Sequence, residues 1–210
     1  KNIKEFSSAL KGKLLEYGCG SKPDKHLFQV EKYIWVDFEN PGHSHEQENI
    51  DVFYDGKQLP FDDKYFDSIL CSEVFEHVFN IDEILKELHR VLQPNGKMLI
   101  TCPFVWSEHE VPHDFARYTQ FALTDILKKN GFEIIAFKKS GNFSTSITQL
   151  IVLYFFKRSS NKFFSCFIFR WLLKIFCYLL PNIIGKICIA ILPDDDTFYL
   201  NNVLLVKKLN

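Results

Sequence analysis

No two of the six cysteines (Cys19, Cys71, Cys102, Cys166, Cys177 and Cys188) are spaced C-x-x-C, and most lie in apolar runs. That excludes a zinc ribbon and a disulfide framework, and leaves the reduced, buried thiols of a cytosolic protein. No acidic residue occurs from 134 to 193, where eight Lys and Arg fall. Residues 1–133 have the opposite balance, with 15 Lys and Arg against 23 Asp and Glu. The net charge of −1 therefore conceals two surfaces with different partners. No apolar run reaches the ~20 residues of a membrane span. Ser140–Phe156 contains Asn142 and several Ser and Thr, and Arg170, Lys174, Pro181 and Lys186 interrupt the later apolar runs. A chain that begins at Lys1 says nothing about targeting from that end. Its 210 residues suit one domain, or one domain with an insertion.

What is present is organised around Lys13–Pro23, K-L-L-E-Y-G-C-G-S-K-P. A short apolar strand (Leu14, Leu15) runs into Glu16 and then into a glycine turn, Gly18-Cys19-Gly20, which opens a helix expected over 24–30. Glycines let the backbone turn sharply and approach a ligand closely. In a doubly wound sheet this first strand-to-helix turn lies at the carboxyl edge, where nucleotide-like ligands bind. A dinucleotide fingerprint needs a third glycine, and Pro23 stands there instead. Glu16 would repel a pyrophosphate but can pair with a ligand's ammonium group. A dehydrogenase is accordingly the last of the readings considered. E-x-G-x-G after a strand resembles the first motif of class I S-adenosylmethionine (SAM) methyltransferases, whose cofactor carries an amino-acid tail.

Tyr33–Asp37 reads as a second buried strand, with Asp37 and then Phe38 at its tip, where an α/β nucleotide fold holds ribose hydroxyls. The alternative for Asp37 is a helix cap or turn acid. Residues 40–50 are polar and breaker-rich, and His43-x-His45 lacks a third metal ligand of suitable spacing, so a solvated loop is expected. A short strand follows Asp51 and a loop starts at Asp55-Gly56. Phe66–Cys71 is a strand, and Ser72–His77 leads into a helix with apolar residues at 81, 84, 85, 88, 91 and 92. Gln93-Pro94-Asn95-Gly96 stops that helix before the strand Lys97–Cys102. Alternating strands and helices predict an α/β fold with a doubly wound, mostly parallel sheet.

The order Asp55-Gly56, Leu59-Pro60-Phe61, Phe66-Asp67, Glu76-His77, Arg90-Val91-Leu92, Pro94 and Gly96 resembles the type 11 methyltransferase family within class I. The resemblance covers about residues 13–140. It implies a seven-stranded Rossmann-like sheet with an antiparallel last strand, SAM as cofactor and S-adenosylhomocysteine as product. It also implies that Asp55 contacts the adenine amino group, that Cys71 and Ser72 line the methionine end, and that His77 lies near the cofactor. The alternative for His77 is a helix residue satisfied by its own backbone.

Pro103–Thr119 follows the fifth strand and emerges at the same edge. Within it His109–His113 spells H-E-V-P-H, matching the zinc-protease signature H-E-x-x-H. That chemistry needs both histidines on a regular helix, which Pro112 forbids, so no metal is expected. Methyl transfer to a hydroxyl requires loss of a proton, and His109, His113 and Asp114 are the candidate bases. Arg117 is the candidate clamp for a substrate carboxylate or phosphate, or else Asp114 and Arg117 form a structural ion pair. Thr119 caps a helix over Gln120–Asn130, closed by Gly131. The pattern H-x-x-P-H-D-F-x-R-Y-T, with S-K-P in the glycine turn, is similar to type 11 members found with surface-polysaccharide biosynthesis genes.

Strands are expected over Phe132–Lys139 and Thr197–Lys208, leaving 141–196 as an insertion. Domain one is then 1–140 with 197–210, and the insertion is a helical, basic, apolar arm with helices near 146–156, 163–180 and 183–192. Either the arm packs as a lid, or it lies in a membrane interface with its basic residues on anionic headgroups; its lack of acids favours the interface. Self-association through the same surface is the third option. The sequence thus predicts a SAM-dependent methyltransferase, cytoplasmic and peripheral at the inner face of the membrane. Its acceptor is a hydroxyl of a saccharide or lipid-linked saccharide. The competing readings are a methyltransferase of a quinone-like acceptor and a SAM-binding module without turnover. Nucleic acid is not an expected partner.

Overall fold

The structure, a computed structural model, describes residues 2–18, 25–38, 50–159 and 175–210. Cys19, Gly20, His43, His45 and the start of the helix expected from 163 lie outside the described residues. Seven apolar runs form the strands β1 (Lys13–Tyr17), β2 (Lys32–Phe38), β3 (Val52–Tyr54), β4 (Phe66–Ser72), β5 (Leu92–Pro103), β6 (Phe132–Ser140) and β7 (Asn201–Lys208). They make one sheet in the order β3-β2-β1-β4-β5-β7-β6. β1 to β5 pair in parallel, and β7 lies antiparallel between β5 and β6. The strand order reverses beside β1, so ligands are expected at the carboxyl ends of β1 and β4.

Alternation along each strand separates two cores. Leu15, Ile69, Met98, Ile100, Leu204 and Val206 point to one face. There they meet α2 (Ile81–Val91) and α3 (Gln120–Lys129) through Ile84, Leu85, Leu88, Leu123 and Leu127. Leu14, Leu70, Leu99, Val203 and Leu205 point to the other, against Leu10, Phe28 and Phe6 of α1 (Asn2–Phe6). Each fully buried Leu or Ile stabilises the fold by about 1.5–3 kcal/mol.

Three local expectations change. The stretch 24–30 forms only a 3-10 turn, Lys25–Leu27, among its described residues. Gln93–Gly96 does not separate helix from strand: β5 starts directly at Leu92, and the four residues are looped out within it. Phe66 pairs with Leu92 and Ser68 with Lys97, so the surplus is absorbed as a bulge, with Asn95 at φ +61°. The last strand begins at Asn201, four residues later than expected. Thr119 does cap α3, its hydroxyl accepting from the Ala122 N–H at 3.2 Å, and Gly131 follows with φ +82°.

The chain divides into two compact units, Lys1–Lys138 with Asn202–Asn210, and Lys139–Asn201. The second holds α4 (Phe143–Ser159), a π-helical turn over Ile175–Leu179, and α5 (Leu180–Ile191) that continues from it without a break. Pro181 falls where the π-helical turn passes into α5. No helix of the described residues is long and apolar enough to cross a membrane.

Candidate active site

β1 ends at Tyr17, and Gly18 turns the chain with φ +69° while its N–H bonds the Val36 carbonyl at 2.9 Å. A Cβ on Gly18 would lie 2.7 and 2.8 Å from the two Val74 methyls, so the turn passes the β4 loop at a distance only glycine permits. Glu16 is buried at the end of β1 and accepts a hydrogen bond from the Tyr33 hydroxyl at 2.9 Å. Asp37 ends β2, its Oδ1 taking the Phe38 N–H at 2.7 Å. Asp55 follows β3 and accepts from the Lys57 N–H at 3.0 Å.

Phe38 is 43% exposed, lies edge-on to Tyr54 and covers Gly56, where a Cβ would come within 2.6 Å of its ring. The Tyr17 and Tyr54 hydroxyls meet at 2.5 Å. Burial pushes Tyr54 up to about 12 and Tyr17 also well above the ordinary phenol value, so the pair is neutral at pH 7.

These features fit SAM. Three carboxylates sit at the ends of three adjacent parallel strands, and Phe38 at the end of β2 presents an exposed flat ring beside Tyr54. Cys71 departs from expectation in one respect. Its side chain is fully buried, 4.0 Å from the Met98 sulfur, and burial pushes its thiol far up. Only its backbone can face a ligand. The Ser72 hydroxyl is 3.0 Å from that of Thr101.

A second group gathers beyond β4 and β5. Residues 109–113 form a turn, with His113 N–H bonded to the Glu110 carbonyl at 2.9 Å, so the two histidines of H-E-V-P-H do not share a helix. His113 is exposed, and it is its carbonyl that accepts from Nδ1 of His77 at 2.7 Å. Nε2 of His77 lies 3.1 Å from Nε2 of His109 and 3.9 Å from Oε1 of Glu76. Glu76 is fully buried, and among the described residues its Oε1 has no hydrogen-bond partner. Burial pushes its carboxyl up to about 8, with the Glu73 and Asp114 charges adding and Arg117 opposing. Sequence reasoning did not place Glu76 in the site. The available signal was an acid flanked by the apolar residues of V-F-E-H-V.

Asp114 and Arg117 are bonded in bidentate fashion at 2.6 and 2.7 Å, with the Asp114 side chain 4% exposed. The guanidinium holds the Asp114 carboxyl well below the usual range. Arg117 also donates to the carbonyls of Trp106, Ser107 and Ala116. The Glu76 carbonyl accepts the N–H groups of Phe115 and Ala116 at 2.7 and 3.2 Å. Asn202 of β7 donates to the carbonyls of Tyr118 and Cys102 at 2.8 and 3.3 Å. The loop after β5 is thus pinned at both ends.

A methyltransferase-domain family model, Methyltransf_23, matches residues 1–136 of the chain. The chain belongs to this methyltransferase family. Its fold is that of the class I methyltransferases, so the motif resemblance holds at the level of the class. A putative methyltransferase from Bacillus halodurans superposes with a TM-score of 0.60 at 18% identity, over 99% of this chain and 97% of that one. An uncharacterized protein of Methanocaldococcus jannaschii is 26% identical over 151 residues, covering 70% of this chain and 66% of its own. The human 2-methoxy-6-polyprenyl-1,4-benzoquinol methylase is 44% identical over 48 residues, which is 23% of this chain and 15% of that one. The match thus spans under a sixth of that curated relative's length.

Proposed function

We propose that this methyltransferase acts on a hydroxyl of a saccharide or lipid-linked saccharide. The observation that carries the reading is the cluster of Glu76, His77 and His109 at the edge of the sheet where the Asp37 and Asp55 carboxylates also lie. When bound, SAM supplies a methyl group on a positively charged sulfur. Glu16 would hold its ammonium group, Asp37 its ribose hydroxyls, Asp55 its adenine amino group and Phe38 one adenine face. Gly18 would turn the chain past the ligand, Cys19 and Gly20 would give backbone approach, Gly56 would seat the Phe38 ring, and the backbone of Cys71 with Ser72 would line the methionine end.

That methyl group would pass to an acceptor oxygen, with the neutral thioether as leaving group. The proton lost by that oxygen would be taken up by an Nε2 lone pair of His77 or His109, beside the buried Glu76 carboxyl. Asp114 and Arg117 are bonded to each other, which supports a positioning role for them in place of base and clamp. The ring of His113 stands outside the cluster.

A quinone-like acceptor is the second reading, favoured by the short match to the benzoquinol methylase. The second unit supports either acceptor being lipophilic. Ile183, Ile184, Ile187 and Ile191 are exposed at 3–4 spacing along α5, in a stretch without acids from 134 to 193. We infer that Lys139–Asn201 rests on an anionic membrane surface, on the cytoplasmic side.

Calorimetric titration with S-adenosylhomocysteine tests the cofactor assignment. Asp37→Ala removes a charged hydrogen-bond acceptor and weakens binding about 10- to 100-fold. Unchanged affinity would take Asp37 out of the site, and no binding to folded wild type would overturn the function. Isotope transfer from labelled SAM to polyprenyl-linked sugars or to quinols then separates the two acceptors. Binding with no turnover on either class would leave a SAM-binding module.

A further inference from the structure

We propose that Glu76, His77 and His109 form a seat for one divalent transition-metal ion of the zinc class, a role that the sequence did not suggest for them. One ligand atom from each of Glu76, His77 and His109 lies within 4.8 Å of the other two. The closest two pairs are 3.1 and 3.9 Å apart. In a tetrahedral site, bonds of about 2.0–2.1 Å to zinc place two ligands about 3.3–3.4 Å apart, so the histidine pair already fits and the Glu76 oxygen must close by roughly half an ångström toward His77 and by up to about 1.4 Å toward His109.

The protonation pattern is the stronger argument. Nδ1 of His77 faces the His113 carbonyl at 2.7 Å, and Nδ1 of His109 faces the Ser107 carbonyl at 3.2 Å and Oδ2 of Asp114 at 3.4 Å. All three are acceptors, so each neutral imidazole carries its hydrogen on Nδ1. Arg117 approaches Nδ1 of His109 only at 3.5 Å, while the same guanidinium nitrogen donates to Asp114 at 2.7 Å. Both Nε2 atoms therefore turn lone pairs toward one another at 3.1 Å, and only a cation or a shared proton makes that contact favourable.

The carboxylate beside them points the same way. Oε1 of Glu76 is buried and, among the described residues, has no hydrogen-bond partner. A buried acceptor without a donor is costly, and a metal bond removes the cost. The Nδ1 partners are those that metal-bound histidines use: a backbone carbonyl for one, a carbonyl and a carboxylate for the other. Two imidazoles and a carboxylate form a donor set that suits zinc, iron or cobalt rather than magnesium or calcium. Three protein ligands leave coordination positions open. Resting on the proposed methyl transfer, a bound ion would take the lone pairs that otherwise accept the proton, and would instead lower the pKa of the acceptor hydroxyl and hold its oxygen as the nucleophile.

The test uses the full chain without a histidine tag, stripped by chelator and dialysed, with Zn2+ for stoichiometry and Co2+ for its visible absorption. One equivalent of zinc should bind and raise the melting temperature. Cobalt should give the absorption of a site with nitrogen and oxygen ligands. His77→Gln and His109→Gln should each weaken zinc binding at least tenfold. His113→Ala should change it less than twofold, because only the carbonyl of that residue is used. Glu76 is buried and its replacement endangers folding, so His109→Gln, on the half-buried loop, is the deciding variant. Absence of a stoichiometric site, or His109→Gln retaining it, would overturn the seat and leave a shared proton between the rings. Equal loss in His113→Ala would overturn it in favour of the H-E-V-P-H pair. S-adenosylhomocysteine titration of the same samples separates the two claims. S-adenosylhomocysteine binding without zinc binding removes only the seat, and zinc binding without S-adenosylhomocysteine binding removes only the function.

Discussion

Single residues in this site are constrained by what stands immediately beside them. Gly18 combines a left-handed φ with a Cβ position under 3 Å from both Val74 methyls. Replacing it with Ala adds strain and overpacking, at a cost of about 2–4 kcal/mol. Gly18→Ala should lower the melting temperature and weaken S-adenosylhomocysteine binding more than tenfold. Wild-type values in both measurements would show that the turn tolerates a side chain. Cys71 shows the reverse constraint: its neighbours exclude its side chain from any ligand and leave only its backbone.

Elements are held to one another by a few polar nodes. Arg90 at the end of α2 bonds Glu87 and Asp63 and donates to the carbonyls of Leu59 and Phe61. Glu87 in turn accepts from the Leu59 N–H at 3.0 Å. Together they fasten the Leu59-Pro60-Phe61 turn to α2. Removing Arg90 strands several partly buried partners, so Arg90→Ala should cost about 2–3 kcal/mol and lower the melting temperature by roughly 5–10 °C. The pH dependence comes from Glu87, whose carboxyl the Arg90 hydrogen bonds hold below 4.5 in the folded chain. The unfolded chain then binds the proton more readily. The stability from this pair is complete above the unfolded value and declines as pH falls below it through the folded value. Arg90→Ala should flatten that part of the stability curve in chemical denaturation between about pH 6 and pH 3. An unchanged slope would remove the pair from the acid response.

At the scale of the whole molecule, the charge asymmetry coincides with the division into two units. The acid-free stretch from 134 to 193 falls almost wholly within Lys139–Asn201, whose helices expose many of their apolar side chains. Flotation with vesicles containing anionic lipid should carry the chain upward at low salt, and retention should fall as salt rises to about 0.5 M, where exposed charges are screened. Replacing Lys157, Arg158 and Lys186 with Ser should weaken membrane partitioning by about two orders of magnitude, at about 1 kcal/mol per basic residue near the surface. Salt-independent flotation would mean that apolar contact alone holds the chain. Concentration-dependent dimerisation without flotation would assign the surface to a second copy.

The sequence by itself determined the sheet and its ligand edge. Periodicity, an acid at each strand tip and punctuating glycines are local signals, and they located β1, β2, β4, α2 and α3 to within a few residues. The H-E-V-P-H segment was legible as non-helical for the same reason, since Pro112 acts on its own backbone. The tertiary structure decided what depends on partners distant in the chain. The bulge at 93–96 arises from the register between β4 and β5. The meeting of Glu76 with His109 across more than thirty residues arises because β4 and β5 lie side by side, whereas the Asp114–Arg117 pair, three residues apart, was already one of the sequence's two readings. Spacing along a chain records its own turns and helices; which lone pairs face one another is set only when separate strands close into one sheet.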